Sequence, residues 1–333
     1  MKQRTTLFLA SAGAAVIAAI ALFTPGCTCG PSVGPKPTKI DQVIYHGWTN
    51  AVRLTSAQAE VIVAPQVGRV MSFRLRDGEN IFWEDRSLDG KRGDADGKEW
   101  VNFGGDKTWP APEAEWSKYT GRKQWMPPTG FDGLPCVATI TNNEVVLTSP
   151  ADSHYGVRAL RSIRLVGSQL SIHTTYERVS GEPSKVGIWV ITQFKEAERI
   201  LVPVKPNSIF TNGHFEFSNE AWPELQVNGN RIQIVRDPKT PHKMGCDASQ
   251  VIWVGEKETC VVFSARVPGA EYPDRGASAE VYTNPDPKKY IEIEMLGPLS
   301  LMKPGDKISR SSIYALRKRM EKNPDAELPS ISW

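Results

Sequence analysis

The stretch "SQLSIHTTYERV", residues 168–179, alternates strictly: Leu170, Ile172, Thr174 and Tyr176 fall on one face, and Ser171, His173, Thr175 and Glu177 on the other. Side chains of a strand point alternately to its two faces, so this pattern predicts a strand with one packed and one wet side. Working outward, "GVRALRSIRL" (156–165) precedes it with the same alternation, and "KVGIWVITQF" (185–194) follows as a nearly continuous apolar run. "AEVIVAP" (59–65), "GRVMSFRL" (68–75), "QVIWVGE" (250–256), "TCVVFSARV" (259–267), "KYIEIEML" (289–296) and "SRSSIYALR" (309–317) read alike. Turn residues such as "TNNE", "VSGEPS" and "VNGNR" join them as hairpin-type connections. No segment keeps a helical period, and neither an internal repeat nor a composition shift divides residues 39–316. The expectation is an all-β chain with one large antiparallel sandwich or barrel over 39–316 and a tail over 317–333.

Forty basic and thirty-seven acidic side chains leave a net charge of +3 on 333 residues, which makes no electrostatic case for nucleic acid. The N-terminus is more telling. "MKQR" is basic, "LFLASAGAAVIAAIALF" (7–23) is an apolar run, and "TPGCTCG" follows, the order of an export signal. Gly26–Cys27 resembles the lipobox of bacterial lipoproteins, although Thr24 and Pro25 depart from its usual Leu-Ala. An uncleaved membrane anchor is the alternative, since the run approaches the length of a membrane span. Both readings export the body of the protein and tether it to a membrane, through lipidated Cys27 or through the anchor itself. Residues 1–26 are thus signal or anchor, and 27–38 a Pro/Gly-rich tether. Cys136, Cys246 and Cys260 are the body cysteines; they allow one disulfide at most, Cys246 with Cys260, against buried free thiols.

Chemistry-bearing motifs are few. "GDADGKE" (93–99) lacks the first ligand and the spaced Glu of a calcium loop, no zinc spacing occurs, and no cofactor motif is present. No metal and no cofactor are expected. The unusual passage is "NFGGDKTWPAPEAEW" (102–116), followed by "WMPPTGFDGLPC" (125–136). Read as loops, they bring bendable backbone, charges and flat rings together. That mixture suits a ligand with a polar rim and an apolar face. Gly104 and Gly105 would let backbone approach a ligand, Asp106 and Lys107 would share hydroxyls, and Trp109 would offer a ring. Trp116 reads as a structural cover for the sandwich edge.

Four stretches together resemble the galactose mutarotase-like superfamily, and within it a family of uncharacterised bacterial domains. They are "VIVAPQVGRVMSFRL" (61–75), the two loops above, and "KYIEIEMLGPLSLMKPGD" (289–306). The resemblance implies a β supersandwich whose concave face binds a carbohydrate or sugar-like ligand. It implies that Asp106, Lys107, Trp109, Trp125 and Asp132 converge there, with Arg69, Arg158 and Gln193 as floor. Mutarotation needs a base at the anomeric hydroxyl and an acid at the ring oxygen. The closing-strand carboxylate of the family corresponds to Glu294, the candidate base; alternation places Glu292 and Glu294 opposite Ile291 and Ile293. The family's middle-strand histidine is absent: "VGIWVITQF" offers Trp189, Thr192 and Gln193 instead. His154, in a loop, is the substitute acid, whereas His173 reads as a sheet residue. Thr129–Gly130 replaces a His-Gly of related phosphosugar enzymes and argues against a phosphosugar. The two functional classes are an epimerase-like enzyme and a non-catalytic sugar-binding or scaffold protein.

Overall fold

Alternating strands of this length can bury their apolar faces only by stacking sheet on sheet, and the chain does so. The computed structural model describes residues 38–121 and 125–327. The leader, Cys27 and the tether as far as residue 37 lie outside the described residues, as does the end of the tail from residue 328. Two antiparallel sheets form, one of eleven strands and one of ten, giving the expected all-β supersandwich. In the first sheet, the strands Arg69–Leu75, Asp106–Ala111, Ser184–Lys195, Tyr290–Leu296, Ala279–Thr283 and His242–Cys246 lie side by side. In the second, Val157–Val166, Gln169–Arg178, Lys307–Lys318 and Glu258–Phe263 do the same in that facing layer.

The core lies between the sheets. Ile291, Ile293, Met295, Val281 and Phe194 from one meet Ile163, Leu170, Ile172, Val262 and Leu316 from the other, all buried. Each such side chain contributes roughly 1.5–3 kcal/mol by leaving water. Burial alternates along Val157–Val166 so that Val157, Ala159, Arg161, Ile163 and Leu165 point inward. Arg158 therefore points outward, where it pairs with Glu177 at 2.8 Å on a half-exposed surface. It is not part of a cleft floor; the phase of the strand puts Arg161 inside instead.

Residues 102–116 are not the expected loop. Asp106–Ala111 is a strand, paired Lys107 to Ile191 and Trp109 to Trp189 along Ser184–Lys195. Its other flank meets the Arg69–Leu75 strand only at Val70–Asp106, which leaves an open side where Pro110, lacking an N–H, is tolerated. Gly104 and Gly105 adopt φ of 92° and 70°. A Cβ there would come within 2.1 Å of Trp83 O and 2.5 Å of Val70 O. The close approach they permit is to neighbouring backbone rather than to a ligand.

Cys136, Cys246 and Cys260 are free thiols, the last two buried. The last strand runs to Lys318, and beyond it Glu327 is buried, pairing with Arg317 and accepting the Met320 and Glu321 N–H groups. Asp94 is satisfied by the N–H groups of Asp96, Lys98 and Glu99, a closed turn.

Candidate functional site

Because strand side chains alternate, the face of the first sheet turned away from the core carries its own set of residues. Lys107 and Trp109 come from Asp106–Ala111, Trp189 and Gln193 from Ser184–Lys195, and Glu292 and Glu294 from Tyr290–Leu296. Glu280 and Tyr282 from Ala279–Thr283 and Lys243 from His242–Cys246 complete it. Register brings them level: Ile191 lies between Lys107 and Glu294, Glu294 is opposite Glu280, and Glu292 is opposite Gln193 and Tyr282. Over this face opens a cleft of about 240 Å³. Four indoles (Trp100, Trp109, Trp125, Trp189), Tyr282, Tyr290, Glu113, Glu292, Glu294 and Lys243 line it.

Each indole N–H is held by a carboxylate. Asp132 Oδ2 accepts from Trp100 at 3.0 Å and Trp109 at 3.1 Å, while its Oδ1 pairs with buried Arg69, which also donates to Gly104 O. Trp125 donates to Glu113 Oε1 at 2.6 Å and Trp189 to Glu294 Oε2 at 2.8 Å. The rings meet edge to face, with Trp109 5.5 Å from Trp189 and 6.0 Å from Trp125 between centroids. Trp116 donates to Pro110 O and packs behind Trp109. Trp109 is only 4% exposed, whereas Trp125 is 46% exposed and presents its ring to solvent.

Charges crowd the same face. Lys243 Nζ lies 3.0 Å from Glu294 Oε2 and 2.7 Å from Glu280 Oε2, and over the Trp189 ring at 5.0 Å. Burial alone would lower its pKa, but the two glutamates outweigh burial and hold it raised. Lys107 is buried, 3.8 Å from Glu292 Oε1 and 4.5 Å over the Trp109 ring. Its Nζ makes no hydrogen bond to the described residues. Burial lowers its pKa, against the opposing pull of Glu292. Glu292 accepts from Gln193 at 2.7 Å, and burial, partly countered by Lys107, raises its carboxyl. Glu113 is raised chiefly by burial as well.

The structure thus gathers Lys107, Trp109, Trp125, Gln193 and Glu294 at or beside one cleft. Arg69, expected as floor, stands behind it paired to Asp132, and Asp132 fixes two of its walls. Asp106 is a correction: it faces the core, where Thr192 and Tyr314 donate to its Oδ2 at 2.7 and 2.5 Å and Arg161 pairs with its other oxygen. Being adjacent to Lys107 in a strand, it must point the other way. His154 is a second correction: it is exposed, in a turn whose N–H groups Asp152 caps, and does not line the cleft. His173 bonds Ser311 on the outside of the second sheet. Sequence reasoning missed Trp100, Glu113, Lys243, Tyr282 and Tyr290. Alternation around Glu292 and Glu294 pointed to Tyr290, but nothing local marked Lys243, four strands along the sheet from Trp109.

No match was found among curated proteins. Among solved structures, the fold is similar to an aldose 1-epimerase-type protein of Escherichia coli K12, at 14% identity and TM-score 0.54 over 80% of this chain and 98% of that one. A galactose mutarotase-like protein of Lactobacillus casei is similar at 10% identity and TM-score 0.54, covering 80% and 100%. A mutarotase-type protein of Salmonella typhimurium is similar at 14% identity and TM-score 0.53, covering 81% and 90%. The architecture is therefore that of the galactose mutarotase-like sandwich. The model described as Domain of unknown function (DUF4380) matches residues 49–317, and the chain belongs to that family.

Proposed function

We propose that the cleft binds a carbohydrate. The observation that carries this reading is the convergence of four indoles and two tyrosines with Glu113, Glu292, Glu294 and Lys243 around one opening. Rings match the C–H faces of a sugar, and carboxylates and the ammonium match its hydroxyl rim. A cleft of about 240 Å³ falls below the ~300–1,000 Å³ of sites for drug-sized ligands, so it suits a single sugar ring. The mutarotase-type names of similarly folded proteins support this reading by analogy of fold only.

A second reading, ring-opening isomerisation with Glu294 as base, is favoured by one feature. Glu113, whose carboxyl burial raises, lines the same cleft and can carry the proton that no histidine brings there among the described residues. NMR of a panel of reducing sugars with the purified full-length chain tests both. Saturation transfer to a sugar supports binding, and its absence across the panel sinks it. Anomer exchange above the uncatalysed rate, abolished in Glu294→Gln while saturation transfer persists, adds the isomerase; exchange unchanged by that substitution removes Glu294 as base.

We place the domain outside the cytoplasm, tethered through its first residues, on the strength of the basic start, the apolar run and Gly26–Cys27. If Cys27 carries the lipid, Cys27→Ser shifts the protein out of the membrane fraction. An uncleaved variant that stays membrane-bound identifies a plain anchor instead.

A further inference from the structure

Charge on the cleft is unbalanced. Glu113, Glu292 and Glu294 line it against one ammonium, Lys243. Glu280, 2.7 Å from the same ammonium, is fully buried behind it, so Lys243 divides one positive charge between two carboxylates. Asp274, half-buried, adds to the same negative field. On the other side is Lys107, 3.8 Å from Glu292, so that two ammoniums face the five carboxylates Glu113, Asp274, Glu280, Glu292 and Glu294. The protein side of the cleft is therefore short of positive charge, and it is walled by rings whose π faces attract cations. Trp125, the most exposed of those rings, donates to Glu113 at 2.6 Å. A cation docking there meets a carboxylate and an aromatic surface together.

Resting on the carbohydrate reading, we infer that the sugar this cleft takes carries a protonated amine, as an amino sugar does. The amine supplies the missing charge to Glu113, Glu292 or Glu294, while the ring faces the indoles. A phosphosugar or a uronate would bring a further negative charge into a site where carboxylates already repel one another. The carboxyls feel this crowding, and a bound cation would draw them back toward the ionised form. Burial raises those of Glu113, Glu292, Asp274 and Glu280, the last well above the usual range, and the charge of Glu294 adds to the rise in all four.

The test is titration calorimetry of the full-length chain at pH 6.5 with glucosamine, glucose and glucuronate, and with their galacto counterparts. In the matching configuration the amino sugar binds roughly tenfold or more tightly than the neutral sugar, the step expected of a charge-assisted hydrogen bond. The uronate shows no uptake. Glu113→Gln narrows the gap between amino and neutral sugar. Equal affinity for amino and neutral sugars, or preference for the uronate, overturns this inference and leaves the carbohydrate reading standing. No uptake of any of the six overturns both.

Discussion

On the inner face of the Asp106–Ala111 strand, Asp106 receives hydroxyl hydrogen bonds from Thr192 and Tyr314 and an ion pair from Arg161. On the outer face, one residue along, Lys107 has only Glu292 at 3.8 Å and two ring faces, and no hydrogen bond among the described residues. Both are buried. A buried charge that serves the fold is fully partnered, because an unmet one is expensive in low dielectric. A buried charge left partly unmet beside an open cleft marks a surface arranged for something other than stability. The difference separates the structural half of the Gly-Gly-Asp-Lys-x-Trp-Pro motif from its site half, although the two are contiguous in sequence.

The largest effect expected follows from that contrast. Asp106→Ala leaves Arg161 charged and alone between the sheets, and should destabilise the chain by about 3–5 kcal/mol. Lys107→Met removes an ammonium that is poorly partnered, and should change stability by no more than about 1 kcal/mol, in either direction. Urea denaturation of the two variants side by side checks the contrast; equal losses would erase it.

A smaller effect is expected through pH. Burial raises the Glu280 carboxyl well above its ordinary value near 4.5. A carboxyl raised in the folded state holds its proton more tightly there than in the unfolded chain. It therefore penalises folding above its folded pKa, and the penalty fades as pH falls to the ordinary value. Glu280→Gln lacks the penalty. The stability of the variant relative to the parent should be greatest near neutral pH and shrink toward pH 4.5. A relative stability that grows on acidification contradicts the reading of this face as over-supplied with carboxylates.

Much of the fold was legible because period-two alternation is a local signal. Leu170, Ile172 and Tyr176 turned inward as their spacing required, and Ile291 and Ile293 set Glu292 and Glu294 on the other face. The passage at 102–116 was misread for a local reason too. Two glycines and a proline suggested a loop, whereas the open flank of the strand is a property of the sheet. Once Asp106–Ala111 is a strand, Asp106 and Lys107 cannot share a site. Arg158 failed because it was taken from the resemblance against the alternation of its own strand, in which Val157, Ala159, Ile163 and Leu165 carry Arg161 inward. Glu113 lay within residues 102–116 and was passed over as a turn residue, whereas Lys243 was invisible because nothing near it in sequence refers to Glu294 or Trp189. Only the strand order brings them together.

If the outer face binds a sugar, the cleft carries its own reporters in Trp100, Trp109, Trp125 and Trp189. Trp125 is the clean probe: it is nearly half exposed, whereas truncating buried Trp109 would cost about 3–5 kcal/mol of stability and confound the result. The direct measurement is a fluorescence titration of the full-length chain with neutral and amino sugars, repeated on Trp125→Ala at matched stability. A saturable change in tryptophan emission that Trp125→Ala weakens about tenfold or more, with stability within about 0.5 kcal/mol of the parent, is the predicted result. No saturable change with any sugar, or a response that Trp125→Ala leaves intact, would contradict it.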